Sequence, residues 1–143
     1  MNRSTFLLPL LLVACATAPA PFHPPEADVR PVVAADVLDG RWSIAAVDGR
    51  AAQGMVIDWQ ADRLRLTLAC NSGSATASRN GDKLSVGGIA MTERACEPAR
   101  MALDDRVAAI LREGVTMEFT PPASLRLVGS GGSLDLVRDQ GVI

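Results

Sequence analysis

Residues 63–68, Arg63-Leu64-Arg65-Leu66-Thr67-Leu68, decide the fold. Leucines alternate with polar residues at period two, so an extended chain puts Leu64, Leu66 and Leu68 on one face and Arg63, Arg65 and Thr67 on the other. That is a half-buried strand. Upstream, Met55 to Trp59 is a second apolar run. Before it, Trp42-Ser43-Ile44-Ala45-Ala46-Val47 alternates apolar and small residues and stops at the turn signal Asp48-Gly49. Downstream, Asn71-Ser72-Gly73 punctuates, and Ser74 to Arg79 reads as a weak strand of small residues. Asn80-Gly81 then signals a two-residue hairpin, because both residues tolerate positive φ. Lys83-Leu84-Ser85-Val86 resumes the alternation.

The period changes between Glu97 and Gly114. Pro98 suits a first helical turn. Leu103, Val107, Ile110 and Leu111 share one face at three- and four-residue spacing, and Gly114 suits the position just past a helix end. One amphipathic helix is the reading. Strands return at Val115 to Phe119, Ser124 to Val128 and Ser133 to Val137, the last two paired across Gly129-Ser130-Gly131-Gly132. Seven or eight short antiparallel strands interrupted by one helix predict a mainly-β, α+β domain. Its expected form is a small antiparallel barrel or strongly curved sheet, with the helix over an open edge or end.

Three segments and the helix after them carry a resemblance. Ala69-Cys70-Asn71-Ser72-Gly73, Asn80-Gly81-Asp82-Lys83-Leu84 and Ala90-Met91-Thr92-Glu93-Arg94-Ala95-Cys96, with the Pro98 to Leu111 helix next, resemble the META domain family, also called HslJ-like. The likeness covers nearly all of residues 38–138. It implies a cracked antiparallel β-barrel with one helix, similar in shape to lipocalin-like barrels and to a secretion-system pilotin lipoprotein. This chain departs from the family where Ala69 replaces the usual glycine. Its Cys-Asn segment is also about two residues shorter, with Ala75 in place of an aromatic. Those departures bear on any ligand contact made through that loop.

The N-terminus reads as an export signal. Met1-Asn2-Arg3 sets one positive charge before the apolar run Phe6-Leu7-Leu8-Pro9-Leu10-Leu11-Leu12-Val13-Ala14, which is about half the roughly 20 residues a spanning helix needs. Leu12-Val13-Ala14-Cys15 resembles a bacterial lipobox, in which cleavage leaves Cys15 first and diacylglycerol is attached to its sulfur. The expected division is a signal peptide over 1–14, a lipid-anchored Pro/Ala-rich tether over 15–36 and the META domain over 37–143. Two or three acyl chains make a lasting anchor, since each buried methylene adds about 0.8 kcal/mol. At about 3.1 Å per residue the tether reaches up to roughly 60 Å. Ala16 is not the aspartate that marks inner-membrane retention in enteric-type bacteria, so the expected address is the outer membrane, facing the periplasm.

Composition excludes several functions. The 14 basic and 16 acidic residues give a net charge of −2, and removing the segment with Arg3 takes it to near −3. Phosphate-backbone binding needs surplus Lys and Arg, and single-strand platforms need stacking aromatics. The domain holds only Trp42, Trp59 and Phe119 and no tyrosine, so neither nucleic acid nor a sugar-stacking groove is indicated. Trp42 and Trp59 read as core. The one histidine, His23, lies in the tether, so no Ser-His or Cys-His catalytic arrangement and no histidine-ligated metal can form in the domain. No cofactor is expected.

Cys70 and Cys96 remain once Cys15 is acylated, and an even pair in an oxidising compartment most often forms a disulfide. Two buried reduced thiols are the alternative. Asp104-Asp105 resembles a carboxylate pair, but adjacent helical residues point about 100° apart, so a solvated helix face is expected. Asn71, Thr92, Glu93 and Arg94, where the family motif is densest, either shape the connection to the helix or form a polar rim for a ligand or partner. The functional expectation is a non-enzymatic, membrane-tethered binding or assembly module serving envelope integrity or stress tolerance. Such a module is expected to be a monomer that holds a small apolar ligand or an envelope protein. Inhibition of a hydrolase such as lysozyme is the alternative.

Overall fold

The computed structural model describes residues 38–139. Cys15, its lipobox, His23 and the tether of residues 15–36 lie outside the described residues. The elements in chain order are β1 (Gly40–Val47), β2 (Arg50–Ala51), β3 (Val56–Gln60), β4 (Arg63–Thr67), β5 (Ser72–Asn80), β6 (Lys83–Val86), β7 (Ala90–Met91), α1 (Pro98–Arg112), β8 (Val115–Thr120), β9 (Ser124–Gly129) and β10 (Gly132–Arg138). Every pairing is antiparallel. The path β1-β3-β4-β5-β6-β8-β9-β10 returns to β1 through the β10–β1 pairing, so eight strands close a barrel. The short strands β2 and β7 are additions, β2 folded back on the end of β1 and β7 beside the start of β5.

The alternation in β4 is what aims the chain inward. Leu64 and Leu66 are fully buried, while Arg63, Arg65 and Thr67 face water. The neighbouring strands fill the same interior with Trp42, Ile57, Trp59, Leu84, Leu127 and Leu134, each 2% exposed or less. Burying such a side chain stabilises by about 1.5–3 kcal/mol. Trp42 is held edge-on to Phe119 with ring centroids 6.5 Å apart, donates its indole N–H to the Leu38 carbonyl at 2.8 Å and carries the Arg138 guanidinium 4.8 Å from its ring centroid. The barrel is therefore filled by its own side chains.

Closure is thinnest between β6 and β8. Only Lys83 with Thr116 and Leu84 with Val115 pair there, extended by one bond from the Met117 N–H to the Asp82 carbonyl at 2.7 Å. Helix α1 packs against β6 and β10 and adds Val107, Ile110 and Leu111 to the core. Pro98 opens the helix, and Gly114, with φ +75, turns the chain into β8.

Three local features differ from the sequence reading. Ser72 and Gly73 do not punctuate but open β5, because Thr67 pairs with Ser72 directly. The β5–β6 turn is Gly81-Asp82, one residue later than Asn80-Gly81, since Asn80 already pairs with Lys83 and Gly81 supplies the positive φ of +63. In β1 the buried positions run Trp42, Ile44, Val47 because the register against β10 shifts between Ile44 and Ala46. Such a bulge breaks period two and bends the strand round the barrel.

Candidate functional site

Two of the three family-like motifs, Cys70-Asn71 and Thr92 to Cys96, meet at one corner with Asp104 of α1 at its centre, while Asn80 to Leu84 forms the β5–β6 turn at the other end of β5. Asp104 is 1% exposed. It accepts the Cys70 N–H at 3.2 Å, the Asn71 N–H at 2.7 Å and the Asn71 side-chain amide at 3.2 Å. This corrects, for Asp104, the expectation that Asp104 and Asp105 lie on a solvated helix face. Position 104 shares a helix face with Val107, Ala108 and Leu111 at the usual three- and four-residue spacing, and only Asp105 points to water. A buried carboxylate is tolerable because three N–H groups compensate its lost hydration.

Asn71 links the same corner to the segment before the helix. Its Oδ1 accepts the Thr92 hydroxyl at 3.0 Å and the Arg94 N–H at 2.8 Å. Thr92 in turn accepts the Ser72 N–H on its hydroxyl at 3.1 Å and donates its own N–H to the Ser72 carbonyl at 2.9 Å. The Cys70–Cys96 disulfide, with Cα atoms 6.1 Å apart, joins the two segments covalently. Arg100 donates from α1 to the Ala69 carbonyl.

Of the four residues expected as a rim, Asn71 is buried and its polar groups are engaged internally. Thr92, Glu93 and Arg94 are exposed. The corner acts chemically as a brace: its carboxylate already serves backbone donors, and its sulfurs are joined. Among the described residues no three His, Cys, Asp or Glu side chains are grouped to hold a metal ion.

Sequence reasoning missed a cleft of about 640 Å³ between the β1–β2 turn and α1. Ala51 and Ala52 line it on one side and Ala99, Ala102 and Leu103 on the other. The residues at 99, 102, 103 and 106 recur at helical spacing, but small alanines on a helix give no sequence signal that distinguishes a cleft wall from an ordinary solvated face. At the rim, Arg106 Nε donates to Asp48 Oδ2 at 2.6 Å, and Asp48 Oδ1 accepts the Ser133 N–H at 3.0 Å. Gly132 makes room for this contact, since a Cβ there would collide with Asp48 Oδ1. A second cleft, of about 440 Å³, lies outside the barrel over β4, β5 and β7, with Arg65, Ser72, Ser74 and Thr92 on its walls.

The hydrogen bond from Arg106, followed by that from the Ser133 N–H, lowers the Asp48 carboxyl below its ordinary value of 3.8. A carboxyl depressed on folding contributes stability that is present above its unfolded value and lost as pH falls through its folded value. Asp48→Asn is therefore expected to be less stable than the parent at neutral pH. The gap should shrink as urea melts are taken below about pH 4. A gap independent of pH would refute the role given to this ion pair, which is solvent-exposed and so modest in size.

Comparison with known proteins agrees with the fold. A family model described as the META domain matches residues 35–141. A protein solved by NMR is 22% identical, with TM-score 0.65, the match covering 74% of this chain and 95% of that one. An NMR structure of a protein from Burkholderia xenovorans is 21% identical, with TM-score 0.57, covering 93% of this chain and 99% of that one. Likeness at these identities shows a shared fold. No curated protein sequence matches significantly.

Proposed function

The chain belongs to the META domain family, and from that premise we propose that it is a non-enzymatic module of the bacterial cell envelope, anchored through acylated Cys15, that binds a protein partner on the outside of its barrel. The role fits envelope integrity or stress tolerance, with the domain on the periplasmic side of the outer membrane. One observation carries the choice of an outer surface. The barrel interior is occupied by Trp42, Trp59, Leu64, Leu127 and their neighbours, so an apolar ligand inside would have to displace core side chains, at about 2–5 kcal/mol for each one lost from its packing.

The hydrolase-inhibitor reading draws less support. An inhibitor of that kind presents a projecting loop to an active-site cleft, whereas the Asn71 loop is short, bonded to Asp104 and fastened by the disulfide. Native mass spectrometry of the chain taken from its own envelope tests the proposal. The expected species is the acylated polypeptide with no bound small molecule.

A further inference from the structure

The cleft between the β1–β2 turn and α1 combines three features. The first is an open strand edge. Asp48 and Gly49 take positive φ values of 50° and 74° and make a two-residue hairpin, in which Val47 pairs with Arg50 and Ala46 with Ala51. In such a hairpin the pair flanking the turn is hydrogen-bonded and the next pair is not. The bond from the Ala52 N–H to the Ala45 carbonyl at 2.9 Å agrees with this alternation. The N–H and carbonyl of Ala51 consequently point away from β1. Strand β2 pairs with β1 alone among the described residues, so these two groups face the unpaired edge.

The second feature is the apolar wall opposite. Ala99, Ala102 and Leu103 of α1 face the edge across the cleft. Small side chains leave room for a backbone to approach closely. The third is charge. Asp48 is already bonded to Arg106 and the Ser133 N–H, and Arg50 acts on it only at longer range, with no salt bridge of its own among the described residues. The rim therefore presents a positive charge with room for a partner's carboxylate.

We infer that this cleft docks an extended acidic segment of a partner protein, which adds to the edge of β2, seats a small apolar side chain between Ala51 and Ala102, and places a carboxylate on Arg50. The open edge distinguishes this occupant from a lipid. An acyl chain could use the alanines but would leave the Ala51 donor and acceptor unanswered, whereas a peptide strand satisfies both. The inference rests on the outer-surface reading above and gives it a location and a ligand class.

The test uses the full chain and a fluorescein-labelled octapeptide alternating valine with aspartate, followed by anisotropy. A valine-lysine octapeptide and dodecanoate serve as comparison probes. Saturable binding of the acidic peptide is expected, falling as salt is raised. Arg50→Glu should weaken it by about tenfold or more, and Ala51→Pro, which removes the edge donor, should also weaken it. Arg63→Glu, on the outer face of β4, should leave it unchanged. Both Arg50 and Ala51 are exposed, and the thermal midpoint of each variant checks that the barrel is intact. Equal binding of the lysine peptide, binding of dodecanoate instead of the peptide, undiminished binding by a folded Arg50→Glu, or no binding by any probe would each overturn the inference. An envelope-derived sample that carries a molecule inside the barrel would overturn the broader reading instead.

Discussion

Replacing Cys70 and Cys96 together by alanine is expected to destabilise the domain by about 3.5 kcal/mol, the chain-entropy value for a loop of 26 residues. For a domain of this size that corresponds to a drop in Tm on the order of 15–25 °C. The bond closes a loop that contains β5, β6 and β7, so without it the unfolded chain regains freedom over a quarter of the domain. The folded state loses the covalent joint between the Cys70 segment after β4 and the Cys96 segment before α1, while the Asn71 hydrogen bonds to Thr92 and Arg94 still hold the same segments together. The variant should therefore keep its fold at low temperature and melt early. Equilibrium urea melts of parent and variant measure the difference, and a loss below about 1 kcal/mol would show that the non-covalent brace suffices.

The second large effect is expected at Asp104. Asp104→Ala removes the acceptor for the Cys70 and Asn71 N–H groups and for the Asn71 side-chain amide in a site closed to water. Each buried donor left unsatisfied costs about 1–3 kcal/mol, so a total of about 3 kcal/mol is expected, reduced by whatever water enters. Asp104→Asn keeps one acceptor oxygen and should lose about half as much. The two substitution sites share the residue pair Cys70-Asn71, so their effects should not add. A double-mutant cycle should return a coupling of about 0.5–3 kcal/mol. Strict additivity would mean that the disulfide and the carboxylate do not brace the same loop.

How much of this was legible in the sequence depends on the range of the interaction. The Leu64-Leu66 alternation and the Val107, Ile110, Leu111 face are local periodicities, and the structure buries all of them. The pairing of β10 with β1 joins residues about ninety positions apart and leaves no local mark, so barrel closure came from strand number and resemblance. The bulge at Ala45 is invisible because alanine fits either face.

The corner was half legible. Motif density pointed to Asn71, Thr92, Glu93 and Arg94, but the partner that fixes their arrangement is Asp104, more than thirty residues from Asn71. Its place on the apolar helix face was readable from spacing with Val107 and Ala108. Its acidity argued for water, and only the three donors brought to it by folding reverse that. The α1 cleft was not legible, because it is made of alanines and of a turn and helix that meet only in the folded chain.

The proposed outer-surface recognition rests on a barrel filled by its own core. Native mass spectrometry of the chain isolated from its own cells addresses this at its root, because gentle ionisation preserves an enclosed apolar ligand. A single mass is expected, that of the polypeptide with the covalent acyl groups proposed for Cys15, unchanged as collision energy is raised. A stoichiometric additional mass that leaves only when the barrel unfolds would contradict it.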